Sequence, residues 1–215
     1  MTTDAPVPAS EFSQPRLAVS QLKRIRRIVD AAIELAETGG FEAVRLRDVA
    51  DASGVALGTL YKYFRSKEDV LLFAVNEDNE QLLQILAARP PESARATERL
   101  VELFARATRG LTRRPHFARA VLRAIAASEA ASAVQQAAFH LRMSRMIVAA
   151  LRGEPADATT PLSVLVGSER ERLIARVLQH VWFSSLIGWA SGLHPIATVA
   201  ERMQETIELV LEPPG

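Results

Sequence analysis

From Gln21 onward the apolar residues Leu22, Ile25, Val29, Ile33 and Ala36 return every three or four positions, the repeat of one buried face on a helix. The run ends at Gly39-Gly40, a pair that favours a helix stop. Two short helical stretches follow, at about residues 47–52 and 57–63, separated by Ser53-Gly54-Val55. This is the length pattern of a helix-turn-helix. Gly54 suits a turn that needs positive φ, Ala50 is small enough for close helix approach, and Val49, Val55, Leu60 and Phe64 supply an apolar seam. Ser66-Lys67-Glu68-Asp69 then has the form of a capping box, with Ser66 as N-cap and Asp69 as the acid three residues on, and opens a long helix towards Ala88.

Arg89-Pro90-Pro91 interrupts the periodicity. Beyond it, helical spacing predicts elements near residues 93–112, 116–127, 131–152, 168–191 and 196–211, with 153–167 as a loop carrying two prolines. No segment alternates in the manner of a half-buried strand. The predicted fold is therefore all-α, about nine helices, with a three-helix head and a C-terminal helical bundle as body. Residues 1–19, rich in Thr, Ala, Pro and Ser and without periodicity, read as a mobile arm; 20–65 form the head and 66–215 the body.

Composition narrows the chemistry. The 215-residue chain has no cysteine, which removes disulfides, thiolate metal sites and cysteine nucleophiles together. No apolar signal sequence opens it and no apolar run approaches the roughly 20 residues of a membrane span, so a cytoplasmic protein with no membrane association is expected. His116, His140, His180 and His194 are too widely spaced for a local zinc pair, and there is no phosphate-binding glycine loop, serine elbow or paired-carboxylate signature. Neither an enzyme, a cofactor nor a metal is expected.

The net charge of +1 conceals a local excess. Residues 16–67 carry ten Lys/Arg against six Asp/Glu, whereas residues 68–215 carry 16 against 17. A basic head of helix-turn-helix pattern points to the duplex phosphates. A helix enters the major groove only if its leading edge is small or polar and its back is apolar. The stretch from Leu57 meets that condition: Gly58 and Thr59 permit close approach, Tyr61, Lys62 and Tyr63 offer hydroxyl or ammonium contacts, and Leu60 and Phe64 face inward. Arg45 and Arg47 flank it from the preceding helix, and Lys67 stands at a helix N-terminus where phosphate is favoured. The competing reading for Tyr61 and Tyr63 is an amphipathic core edge with the hydroxyl at the surface, and for Arg24, Arg26 and Arg27 a solvated face.

Phe41-Glu42-Ala43, Arg47-Asp48-Val49-Ala50, Gly54-Val55 and Gly58-Thr59-Leu60-Tyr61-Lys62-Tyr63-Phe64, followed by Ser66-Lys67-Glu68, resemble the N-terminal signature of the TetR family over about residues 22–72. The resemblance implies an all-helical homodimer, with a three-helix DNA-binding head, a connecting fourth helix and a variable effector-binding body. Two positions depart from the pattern: Arg45 stands where a threonine often caps the second helix, and Ala56-Leu57 where Ser-Lys often opens the third. Leu173 to Leu193 and Val55-Ala56-Leu57-Gly58-Thr59-Leu60-Tyr61 are also similar to the actinobacterial cholesterol-catabolism repressor branch, which implies steroid-derived acyl-CoA effectors and a long apolar cavity with basic residues near its mouth.

In the body, Phe104, Phe117, Phe139, Met143, Met146 and Trp182 are the large side chains able to line an apolar effector pocket, against the alternative that they are ordinary bundle core. Val181, Ser184, Ile187 and Gly188, with Val199, Met203, Ile207 and Val210, offer small and apolar surfaces for a homodimer. Twofold symmetry would set two recognition helices about 34–36 Å apart on palindromic double-stranded DNA. The leading expectation is a repressor released from its operator when an effector shifts the heads through the helix beginning at Lys67. The alternatives are the same fold acting without a small molecule, and a helical ligand-binding protein with a vestigial head.

Overall fold

A computed structural model of the chain describes residues 19–127 and 133–211, so the expected arm lies outside the described residues except for Val19. Among the described residues every regular element is a helix. The first, α1 (Val19–Ala43), buries Ile25, Ile28, Val29, Ala32 and Ala36. Leu22, expected on that face, is 52% exposed, because its turn precedes the point where the core begins. The expected stop at Gly39-Gly40 is a break and not an end: Gly40 takes φ 68 and ψ −164, and one more turn follows to Ala43.

α2 (Leu46–Ser53) is closed by Gly54 at φ 62, whose N–H reaches the carbonyls of Ala50 and Asp51. α3 (Leu57–Leu60) is a single turn, shorter than the periodicity predicts. The chain continues through Lys62 N–H to Thr59 carbonyl (3.1 Å) and Tyr63 N–H to Leu60 carbonyl (2.9 Å), a tightened turn that carries Phe64 into the core. The seam of Val49, Val55, Leu60 and Phe64 is buried as expected.

α4 (Lys67–Ala88) begins at Ser66, whose hydroxyl accepts the Asp69 N–H at 3.2 Å. The return half of the box is displaced by one residue, since the Asp69 carboxylate receives Arg65 N–H and not that of Ser66. α5 (Ala96–Thr112) starts three residues later than expected. The reason lies in Arg99, whose buried guanidinium takes the carbonyls of Ser93 and Ala94 at 2.7 and 2.8 Å and holds that segment out of the helix. The same side chain reaches the Ala150 and Leu151 carbonyls at 2.7 and 2.9 Å, satisfying the end of α7 (Ala133–Arg152).

α6 (Pro115–Ala127) opens on proline, which needs no N–H partner at the first helical position. Its Phe117 N–H donates to the Glu37 carboxylate of α1 at 2.9 Å, a cap supplied from 80 residues away. α8 (Glu169–Ala190) has a complete capping box between Ser168 and Glu171, and α9 (Ala197–Leu211) packs back on α5 and α8. One apolar core runs without interruption from Ile25 in the head to Ile207 in α9. Head and body are further joined at Phe41-Glu42: Lys67 and Arg123 lie over the Phe41 ring at 3.8 and 4.9 Å, and Arg123 pairs with Glu42 at 2.6 Å.

Candidate DNA interface and effector pocket

Burial of the α2–α3 seam turns the opposite sides of these short helices outward. Arg45, Arg47, Gly58, Tyr61 and Lys62 are exposed together, and Thr59 is half-buried among them. A Cβ placed on Gly58 would meet nothing within 4 Å, so its bareness serves no packing need within the chain and leaves room for a close neighbour outside it. Neither Arg45 at the start of α2 nor Ala56 at the start of α3 caps its helix with a side chain, and both therefore leave amide donors to solvent or phosphate. Arg65 is exposed directly after the recognition turn, where the motif gave no reason to single it out.

Several candidates stand elsewhere. Tyr63 and Leu57 are half-buried against the core, so Tyr63 follows the core-edge reading while Tyr61 projects into solvent at 53% exposure. The Lys67 ammonium is not presented for phosphate: it is committed to the Phe41 ring, the Phe41 carbonyl at 3.4 Å and the Glu42 carboxylate at 3.5 Å. Its charge clasps the end of α1 to the start of α4. Arg26 is likewise engaged within the chain, with Asp30 at 3.1 Å and Glu77 at 3.4 Å.

In the body, a cavity of about 440 Å³ opens between α4 and α5. Val75, Leu82 and Ala107 form apolar walls, while Phe139 of α7 and Trp182 of α8 reach it from beneath. Arg89, Arg106, Arg109 and Arg113 line its rim, together with Asp78, whose carboxyl is raised above the usual range by burial against the opposing pull of Arg113, Arg114 and Arg26. Size and lining are those of a small-molecule site. Of the six side chains expected to line a pocket, Phe139 and Trp182 do so. Phe104, Phe117 and Met143 are core instead, and Met146 borders only a void of about 10 Å³. Phe104 packs on Trp182 at 5.7 Å, and the indole N–H is satisfied by Thr108 at 2.9 Å.

The pocket's α4 and α5 residues were not anticipated, because the sequence does not say which helix faces which. One signal was available: Asn79 interrupts the apolar stripe Val75, Leu82, Leu83, Leu86 of α4. A second recess of about 300 Å³ lies between α7, α8 and the loop before α8. Its buried polar groups are already spent, Arg145 on the carbonyls of Thr160, Pro161 and Val164, and Gln179 on His140 and Ser144.

The residues expected to offer a self-association surface are not all at the surface of the protomer. Val199, Met203 and Ile207 are buried in the protomer itself, since that face of α9 closes on α5 and α8; they are unavailable to a partner. Gly188 is buried too, and its missing side chain accommodates His194 of the same chain. Ser184 is exposed and Val181, Ile187 and Val210 are half-buried. Leu173 and Val177, 53% and 38% exposed, extend the α8 face at four-residue spacing. Among the described residues no His, Asp and Glu cluster could hold a metal, and no helix is long and apolar enough to cross a membrane.

Comparison with known proteins gives two family matches: residues 28–74 to bacterial regulatory proteins of the tetR family, and residues 94–210 to the tetracyclin repressor-like C-terminal domain. The HTH-type transcriptional repressor KstR of Rhodococcus jostii is 32% identical over 192 residues, 89% of this chain and 84% of that protein. A TetR transcriptional regulator from Rhodococcus sp. RHA1 superimposes with a TM-score of 0.76 at 23% identity, covering 91% of this chain and all of the other. FadR of Thermus thermophilus, a TetR-family repressor solved in complex with lauroyl-CoA, gives a TM-score of 0.62 at 25% identity over 87% of this chain and 93% of its own.

Proposed function

Since the chain belongs to the TetR family, we propose that it is a homodimeric transcriptional repressor, acting on cytoplasmic DNA and released from a palindromic operator by an acyl-CoA or a related amphipathic effector. The observation that carries DNA binding is the exposed face of Gly58, Tyr61 and Lys62 with half-buried Thr59 among them, flanked by Arg45 and Arg47 and backed by a buried seam. Such a face supports base-edge approach by Thr59 and Tyr61 and phosphate contact by Lys62 and the arginines. The stripe Leu173, Val177, Ser184 and its half-buried neighbours Val181 and Ile187 is the surface best suited to a second copy, which would fix the spacing of two heads.

The effector reading draws on the α4–α5 cavity. An acyl or polycyclic body fits its apolar walls, and the rim arginines suit the phosphates of a coenzyme A head. Lauroyl-CoA in the Thermus relative supports this class of ligand. α4 supplies both ends of the coupling, lining the cavity with Val75, Asn79 and Leu82 and beginning directly after the recognition turn. An effector that favours one placement of α4 by about 1–3 kcal/mol shifts operator affinity by about 5–150-fold.

The test is titration of promoter DNA from upstream of the protein's own gene by fluorescence anisotropy across a salt series. Lys62→Ala should weaken binding and flatten the slope of log affinity on log salt by about one. Tyr61→Ala should weaken binding with less change in slope, and both variants should keep the wild-type oligomeric state. Unchanged affinity in both would sink the interface, and operator affinity indifferent to saturating lauroyl-CoA would sink the acyl-CoA reading.

A further inference from the structure

Asn79 Nδ2 is the one buried side-chain nitrogen or oxygen without a hydrogen-bond partner among the described residues. It belongs to a side chain only 7% exposed, one turn along α4 from Val75, and it lines the α4–α5 cavity with Leu82, Phe139 and Trp182. The other polar group at that depth is accounted for, because the Trp182 indole donates to Thr108. A neighbouring α4 amide shows what a structural asparagine looks like in this fold. Asn76 donates to the Leu72 and Gln135 carbonyls and accepts from Arg142. Asn79 has none of this, although a leucine would continue the stripe and pack against the same walls.

We infer that Asn79 is the specificity-determining donor of the effector cavity, selecting an apolar ligand that carries a carbonyl oxygen within its buried portion. The inference rests on the reading of this cavity as the effector site. The Nδ2 is already shielded from solvent in the free chain, and with an apolar ligand filling the cavity only an acceptor on the ligand itself can satisfy the N–H. A ligand with the same apolar shape and no such oxygen leaves the donor unpaired, and sites built on a buried donor reject such analogues strongly. The rim arginines recognise the anionic head and are indifferent to this difference, so head and buried oxygen are read by separate groups.

The experiment compares lauroyl-CoA with S-dodecyl-CoA, its thioether counterpart lacking the carbonyl, by calorimetric titration of the full chain and of Asn79→Leu. The wild type should bind lauroyl-CoA about tenfold or more the tighter, and Asn79→Leu should bind the two alike. Equal binding of both probes by the wild type would overturn the assignment of Asn79 while leaving the acyl-CoA reading intact. Failure of both to bind the wild type would overturn the acyl-CoA reading and the ligand class proposed with it. Thermal unfolding without ligand separates a structural role: Asn79→Leu should melt at or above the wild-type temperature, whereas a clear drop would show that the amide supports the fold and would overturn the proposal.

Discussion

Glu37 offers a direct measure of how firmly the head is built into the body. Its carboxylate, on α1, accepts the Phe117 N–H at 2.9 Å, and Phe117 is the third residue of a helix whose first position is Pro115. The amide is one of the donors that a helix N-terminus leaves unsatisfied, and truncation of Glu37 removes its acceptor. Loss of an N-terminal cap costs about 0.5–2 kcal/mol. Glu37 is half-buried, which weakens the screening of its charge without making the group a buried ion. Glu37→Ala should therefore cost about 1–1.5 kcal/mol, and for a chain of this size that lowers the melting temperature by about 2–6 °C. Glu37→Gln retains an acceptor oxygen at the same reach and should recover at least half of the loss. The assay is thermal unfolding followed by helical circular dichroism for the three proteins at one concentration, since self-association would make the midpoint concentration-dependent. A wild-type midpoint for Glu37→Ala would refute the cap, and equal losses in the alanine and glutamine variants would refute the acceptor argument.

Gly58→Ala should leave the melting temperature unchanged or slightly raised, because the added methyl meets no atom of the chain and improves helix propensity; operator affinity measured in parallel should fall at least severalfold if this backbone approaches the duplex. Arg99→Lys should destabilise by about 2–4 kcal/mol, since an ammonium cannot reach the four carbonyls of Ser93, Ala94, Ala150 and Leu151 that the guanidinium holds; denaturant unfolding measures it, and a loss below that range would mean these carbonyls find other partners. The Glu171 carboxyl is lowered from 4.5 to about 2 by the Arg152 guanidinium and then by the Ser168 N–H. A depressed carboxylate contributes stability that is present above 4.5 and lost as pH falls towards 2. The melting difference between wild type and Glu171→Gln should accordingly be greatest near neutral pH and vanish by about pH 2, and a difference independent of pH would contradict the pairing.

What the sequence determined by itself is local. Helix number, the α2–α3 seam, the αL turn at Gly54 and the Ser66 cap of α4 follow from spacing and from side chains acting within a few residues, and the head is recognisable because its chemistry is carried by one contiguous stretch. Tertiary structure decided everything that depends on which surface meets which. Lys67 and Tyr61 look equally available in the sequence, yet packing commits the first to Phe41 and Glu42 and leaves the second in solvent. Val199, Met203 and Ile207 have the periodicity of an interface and the burial of a core, because an apolar face carries no record of whether it will cover its own chain or another. The cavity likewise arises only where α4, α5, α7 and α8 converge, so Phe104 and Met143 could not be told from Phe139 and Trp182 until those helices were placed.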